Sequence, residues 1–302
     1  MSDVLPSETS RNETADASPA QPEPAPFAET VEAQLSANLA SWNERVAIHL
    51  RDTTDIYDVE GFAAGNDTLM PIEANEIGDV SGLNIAHLQC HFGIDTISLA
   101  RRGASVTGVD FSPAAIAQAR GFAAREVGDI TFVCAPIYDA LSQLTPDTFD
   151  MVYVTWGTIG WMPDVFRWAA TIGKLLKPGG RLYFADIHPT MTQLETEGGK
   201  LTFAYPRRSQ GADGALGFDE RRSYAGDGTE LVNQRQYEWI HPLSDVLGAL
   251  IGAGLTLEFL HEHDTLPWQA VPEMVANGDR MFRLPDDMTG PPVSISLKAR
   301  KL

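Results

Sequence analysis

NIAHLQCHFGIDTISLARRGASVTGVDFS, residues 84–112, holds one complete strand–helix–strand unit and the start of the next helix. NIAHLQ (84–89) is a short apolar strand. GIDTISLARRG follows as a helix that stops at Gly103, a residue suited to the left-handed turn that closes a helix. SVTGVDF (105–111) is the next strand. Ser112 then caps, and Pro113 opens, the helix PAAIAQARGFAARE.

The same rhythm runs downstream. ITFVCA is a third strand and FDMVYVT (149–155) a fourth. DVFRWAATIGKLLK sets Val165, Phe166, Ala169, Ile172 and Leu176 on one helical face, with Trp168 in the core. LKPGG closes that helix, and RLYFADI is a fifth strand. Apolar strands separated by helices give a parallel sheet covered on both faces, with right-handed crossovers. After His188 the alternation shortens. KLTFAYP, ERRSYAG and ELVNQRQYEWI, joined by Gly-rich turns, read as antiparallel hairpins inserted at about residues 190–240. A helix PLSDVLGALIGAGL, a strand TLEFLHEH, a long loop over 264–291 and a last strand VSISLKARK complete the chain.

Upstream lie two further blocks. Residues 1–28 are rich in Pro, Ala, Ser and acids, with too little apolar surface to offset the entropy of ordering, and read as a disordered tail. From Thr30 the pattern is helical, with Val31, Leu35, Leu39, Trp42 and Val46 on one face, ending by Arg51. TDIYDVEGFAAGNDTLMP then reads as an irregular connection. The organisation expected is a tail at 1–28, an amino-terminal helical lid at 29–80 and a sheet domain at 81–302 carrying the inserted cap.

The chain has 302 residues, 41 acidic against 22 basic, for a net charge of −19. That balance disfavours a nucleic-acid partner or an anionic membrane surface, both of which are held through Lys and Arg. No run approaches the roughly 20 apolar residues of a membrane span, and no basic-then-apolar leader is evident. Two cysteines, Cys90 and Cys134, cannot make a disulfide framework and read as reduced, buried thiols. A cytoplasmic protein is expected, and a homodimer is compatible with the sequence.

In an open parallel sheet, ligands sit beyond the carboxyl ends of the strands, where strand order reverses. Here the first loop is LQCHFGIDT and the second strand ends at Asp110, 17 residues after Gly93. An ionised acid at that distance can accept both ribose hydroxyls of an adenosine ligand. Only Gly93 remains of the three glycines of a dinucleotide loop. Gln89, His91 and Phe92 crowd the backbone approach that a pyrophosphate needs, and a ligand without phosphates tolerates them better.

The order of these elements, LNIAHLQCHFGIDTISLARRGASVTGVDFS, FVCAPIYDA, FDMVYVTWGTIGW and LLKPGGRLYFADIHP, resembles a class I S-adenosylmethionine-dependent methyltransferase over residues 84–190, and more loosely to the last strand. The resemblance implies a Rossmann-like α/β fold, a seven-stranded sheet in the order 3-2-1-4-5-7-6 with the seventh strand antiparallel. It implies S-adenosylmethionine as cofactor. By position, Asp110 matches the acid on the ribose hydroxyls, Phe111 the adenine-packing residue and Gly93 the last loop glycine. Gln89 and His91 stand where the family has its first two glycines, and His87 where it has an acid near the methionine end. Ile137 and Tyr138 match the adenine edge. Pro136 replaces the usual acid there, leaving Asp139 as a candidate acceptor for the adenine amine. Thr155 and Trp156 match the strand end that lines the sulfonium.

Further candidates surround this frame. Tyr57, and Phe62 near it, either meet the cofactor's carboxylate end or pack the amino-terminal helix. His188, at the end of the fifth strand, has an ordinary pKa of about 6.5 and suits a general base; the alternative is a structural or positioning histidine. Trp161 and His241 are candidates for the substrate pocket. Arg207, Arg208, Arg221 and Arg222 read as a solvated face. HEHD (261–264) lacks an evident third ligand, so no metal is expected. The reading is methyl transfer to a small-molecule nucleophile. The alternatives are a nicotinamide-dependent oxidoreductase and a non-catalytic S-adenosylmethionine-binding protein.

Overall fold

The computed structural model describes residues 30–54, 56–126 and 128–302, so the reading of 1–28 lies outside the described residues. Three helices lead in: α1 (Val31–His49), α2 (Val59–Ala63) and α3 (Pro71–Glu76). The alternating core follows: β1 (Asn84–Leu88), α4 (Ile94–Arg101), β2 (Ser105–Asp110), α5 (Pro113–Ala123), β3 (Ile130–Cys134), β4 (Phe149–Thr155), α6 (Val165–Leu175) and β5 (Leu176–Ile187). An insertion holds β6 (Leu194–Glu197), β7 (Lys200–Phe203), α7 (Gly211–Gly214), β8 (Leu216–Asp219) and β9 (Arg235–Glu238). The chain then returns through α8 (Leu243–Gly252), β10 (Leu255–His263), β11 (Thr265–Leu266), β12 (Val275–Ala276), β13 (Phe282–Arg283) and β14 (Ser294–Lys301).

The main sheet runs β3-β2-β1-β4-β5-β14-β10. With β10 and β14 counted as the sixth and seventh strands, this is the expected order 3-2-1-4-5-7-6. The pairs from β3 to β5 are parallel, whereas β14 is antiparallel to both β5 and β10. Strand order reverses between β1 and β4, which opens a crevice at their carboxyl ends.

One face of the sheet is closed by α6 and α8. Val165, Trp168, Ala169 and Ile172 are fully buried there, and Trp168 meets Phe184 edge-on at 5.4 Å. Gly173 permits the contact: a Cβ there would stand 2.7 Å from the Ala253 carbonyl oxygen. Phe166 departs from expectation, because it is 51% exposed. One residue beyond Val165, it is turned by 100° off the buried stripe, and Trp168 takes the core position. The other face buries Ile85, Leu99, Val106, Met151 and Tyr153.

The segment 54–71 is more ordered than expected, since Asp58 caps α2 and Pro71 opens α3. In the insertion, two hairpins form (β6–β7 and β8–β9), but ERRSYAG makes only an isolated bridge, Arg222 to Glu230. The expected loop 264–291 instead carries a small sheet, β11-β13-β12, whose two-residue strands are too short to show a period. Cys90 is buried as expected, but Cys134 is exposed, because β3 is a sheet edge. Among the described residues, no helix is long and apolar enough to cross a membrane.

The amino-terminal helix forms where its spacing predicts, but of its apolar stripe only Val46 enters the core. The buried residues are Gln34, Asn38, Ser41, Arg45, Val46, Ile48 and His49. Asn38 accepts from the backbone N–H of Tyr237 (2.7 Å) and donates to the Tyr237 carbonyl (2.8 Å), so its amide completes the edge of β9. Gln34 donates to the Ala212 carbonyl and Arg45 to Gln236 Oε1. The neighbouring stripe of Val31, Leu35, Leu39 and Trp42 lines a cavity.

Candidate active site

That cavity has a volume of about 970 Å³ and lies over the carboxyl ends of β1, β2, β4 and β5. Its floor begins with the turn after β1. Gln89 and His91 both hold left-handed backbones, with φ of 57° and 51°, and Gly93 follows at 78°. The conformation natural to glycine is therefore kept at two positions that carry side chains, at a strain of order 1 to 3 kcal/mol each. Local bonds hold it. Gln89 donates to the Thr158 carbonyl at 2.8 Å. His91 Nε2 meets His49 Nδ1 at 3.0 Å, and His49 Nε2 meets Ser223 Oγ at 2.6 Å. Burial keeps both rings neutral: His91 is held down to about 3 and His49 well below its ordinary value. Gly93 has no substitute, since a Cβ would lie 2.6 Å from the Phe132 ring and 2.9 Å from Ala119.

The turn delivers one N–H to the end of β2. The His91 N–H donates to Asp110 Oδ2 and the Ser112 N–H to Oδ1, both at 2.9 Å. Asp110 is only 8% exposed. Burial pushes its pKa up to about 6, against the pull of these N–H bonds, so it is ionised at neutral pH. Each oxygen keeps a lone pair for a further donor. Phe111, Ile137 and Tyr138 line the cavity beside it. The Tyr138 hydroxyl is committed elsewhere, donating to the Asp164 carbonyl and accepting from the Asp164 N–H, both at 2.9 Å. Asp139 stands at the cavity rim, 3.6 Å from Arg167.

The loop after β4 is fixed from β5. Asp186 accepts from the N–H groups of Gly157 (2.7 Å), Thr158 (2.8 Å), Ile159 (3.0 Å) and Ile187 (2.8 Å), and from the Thr158 hydroxyl. Thr155 and Trp156 therefore reach the cavity at a set position. Trp161 donates to the Gly157 carbonyl at 2.7 Å and meets Trp42 edge-on at 5.2 Å. His241 also lines the cavity, with its Nε2–H donated to the Met162 carbonyl at 2.6 Å. Tyr57 stacks on His49 and shares its hydroxyl with Tyr224, beside the turn.

Two expected positions differ. His188 is not brought to the cavity, whose wall is formed by Ile187 and Pro189 on either side of it. Its Nδ1 accepts the Thr190 N–H at 3.0 Å, and its Nε2 faces Glu262 on β10 at 3.3 Å. Nδ1 is committed as an acceptor and the ring does not line the cavity, so the structure does not bring this histidine to a ligand as a base. His87 does not replace the charge of an acid. It bonds Thr96 Oγ1 at 2.8 Å and lies edge-on to Tyr153, with burial holding its pKa down to about 3. A carboxylate does reach that end from Asp95 on α4, bonded by the Thr68 hydroxyl, and Arg280 lines the same wall. Sequence reasoning missed both. Asp95 hides in the first turn of a helix, and Arg280 comes from a segment without a periodic pattern. The histidines of HEHD serve the sheet: His261 pairs with Glu76 and His263 bonds Ser296. Among the described residues, no three His, Cys, Asp or Glu side chains cluster to hold a metal.

Comparison with known proteins places this geometry. Residues 86–182 match the family model for a methyltransferase domain. A ubiquinone biosynthesis O-methyltransferase from Aeromonas salmonicida is 30% identical over 136 residues, covering 44% of this chain and 56% of that protein. One from Coxiella burnetii is 32% identical over 111 residues, covering 36% and 45%. The chain thus spans about half the length of the curated relatives it matches. Among solved structures, an S-adenosylmethionine-dependent methyltransferase from Mesorhizobium loti superposes with a TM-score of 0.53 at 21% identity, covering 81% of this chain and 98% of its own. One from Methanosarcina mazei gives 0.51 at 16% identity, covering 78% and 98%. Residues 86–182 thus match a methyltransferase domain, and the strand order with its antiparallel seventh strand is the fold this chain shares with those S-adenosylmethionine-dependent methyltransferase structures.

Proposed function

We propose that the chain transfers the methyl group of S-adenosylmethionine to a small-molecule nucleophile. The observation that carries this reading is Asp110. It is a buried carboxylate, aligned by two backbone N–H groups, with lone pairs left over, at the mouth of a cavity of about 970 Å³. In this reading Asp110 takes the ribose hydroxyls, and Phe111, Ile137 and the ring of Tyr138 flank the adenine. Gln89, His91 and Gly93 shape the floor, while Asp95, Arg280 and Tyr57 stand near the methionine end. Thr155 and Trp156 border the reacting carbon, and Trp161 and His241 border the acceptor.

When bound, S-adenosylmethionine supplies a methyl carbon activated by positive sulfur. The chain's own work is then to bind, align and exclude water. Alignment alone is worth roughly 7 to 11 kcal/mol in favourable intramolecular models. The lid at 29–80, the insertion at about 190–240 and the segment around β11 to β13 supply walls of the cavity and so select the acceptor. The small-molecule class is supported by the names of the relatives. The acidic balance, with 41 acids against 22 bases, supports a partner other than nucleic acid, and the unpaired cysteines support a cytoplasmic setting.

The test is transfer of label. Methyl-labelled S-adenosylmethionine, incubated with the chain and the small-molecule fraction of a cell extract, is expected to yield labelled small molecules. The Asp110→Ala chain is expected to yield none. No transfer by the unaltered chain across such fractions would contradict the reading.

A further inference from the structure

Another set of the cavity's lining residues has a chemistry of its own. Its walls are aromatic: Trp42, Trp161, Tyr205, Phe218 and Trp239. Trp42 and Trp161 meet edge-on, and so do Tyr205 and Phe218. Two carboxylates also line the cavity, the exposed Glu220 and the half-buried Glu238. Glu238 ends β9, the strand that the amide of Asn38 holds in place, and the Trp239 N–H donates to the Gly160 carbonyl at 2.7 Å. Its Oε2 therefore stands close over Gly160, 3.9 Å from where a Cβ would be. Among the described residues, the Glu238 carboxylate has no hydrogen bond and no ion pair.

The surrounding charges do not neutralise it. Asp186, on β5, is negative and caged by the five donors described above. Glu195 is engaged by the Tyr205 hydroxyl. Arg45, on α1, is the nearby cation, but its guanidinium is held by Ser41, Ser223 and Gln236 and lies over the Trp42 ring. Two carboxylates against one committed guanidinium leave the chamber net negative. Burial and Glu220 push the Glu238 pKa up to about 7, while Arg45 pulls the other way. A half-buried carboxylate without a protein partner is available to a guest, and aromatic faces around it favour a positive one.

Resting on the methyl-transfer reading, we propose that the acceptor subsite binds a protonated amine on an aromatic or apolar body, with Glu238 as its ionic anchor inside the aromatic walls. The ammonium meets the carboxylate while the body lies along Trp42, Trp161 and the apolar stripe of Leu35 and Leu39. A neutral or anionic molecule of the same shape gains the apolar contact and forgoes the ionic one.

The experiment is calorimetric titration of the full chain, first with S-adenosylhomocysteine and then, on the loaded protein, with three probes of one shape. These are phenethylamine as the cation, phenethyl alcohol as the neutral isostere and 3-phenylpropionate as the anion. Phenethylamine is expected to bind at least tenfold more tightly than either other probe. Glu238→Gln is expected to weaken it roughly 30-fold, the scale for truncating one partner of a buried charge pair. The same substitution is expected to leave phenethyl alcohol and S-adenosylhomocysteine unchanged, which also reports that the variant is folded. Equal affinity for all three probes in the unaltered chain would overturn the proposal. So would loss of S-adenosylhomocysteine affinity in a folded Glu238→Gln chain, because the carboxylate would then serve the cofactor's own ammonium. Cofactor binding without amine preference defeats this inference alone. Amine preference without cofactor binding defeats the methyl-transfer reading instead.

Discussion

Asp110 shows how one residue trades stability for binding. Its pKa rises from 3.8 to about 6, so the folded chain holds that proton more tightly than the unfolded one. Between those values stability falls as pH rises, and above pH 6 the ionised carboxylate costs about 3 kcal/mol. Asp110→Asn, melted by calorimetry at pH 7.5, is expected to raise the Tm of the unliganded chain while abolishing cofactor affinity. In the unaltered chain, affinity for S-adenosylhomocysteine is expected to fall as pH drops through about 6, because a protonated carboxyl loses acceptor capacity. A pH-independent affinity between 5 and 8 would contradict this. Gly93 argues the opposite case, since its place is both left-handed and closed by Phe132. Gly93→Ala is expected to destabilise by roughly 2 to 4 kcal/mol in urea denaturation. The sequence was readable at Asp110 and Gly93, where residue type and backbone need agree. It was misleading at Gln89 and His91, which keep the glycine conformation without glycine. At His188 it suggested a base at the site, because strand position does not reveal which side a ring takes.

At the scale of elements, α1 is the instructive case. Periodicity located the helix, yet Val31, Leu35, Leu39 and Trp42 of its apolar stripe line the cavity while Gln34 and Asn38 bond the protein. A stripe at three- and four-residue spacing reports that a helix has an apolar side, and nothing about whether protein or ligand will cover it. Asn38 carries the packing through its two bonds to the Tyr237 backbone. Asn38→Ala is expected to cost about 2 to 3 kcal/mol, by orphaning buried backbone groups. Leu39→Ala, on the cavity side, is expected to cost under about 1 kcal/mol and to act on acceptor binding instead. Chemical denaturation of the two variants checks the pair, and equal losses would assign the stripe to the core. Glu238 escaped notice for a related reason. In RQYEWI an acid at the end of an alternating strand looks like a solvent-facing residue until the fold closes over it.

The whole molecule was legible in proportion to the length of its elements. Parallel strands buried on both faces must be apolar throughout, so residues 84–187 announced the sheet and its crossovers. The cap is built from strands of two to four residues and from side-chain-to-backbone bonds, which leave no periodic trace. The sheet core is expected to govern global stability. Trp168→Ala, which empties the contact with Phe184, is expected to cost about 3 to 5 kcal/mol. The methyl-transfer account itself depends on the crevice between β1 and β4 holding an adenosyl ligand through Asp110. Titration calorimetry with S-adenosylhomocysteine, on the unaltered and Asp110→Ala chains at pH 7.5, tests this most directly. The account predicts saturable one-to-one binding that weakens by at least about 100-fold in the variant, as for loss of charge-assisted bonds. Absence of binding to the unaltered chain, or undiminished binding to a folded variant, would contradict it.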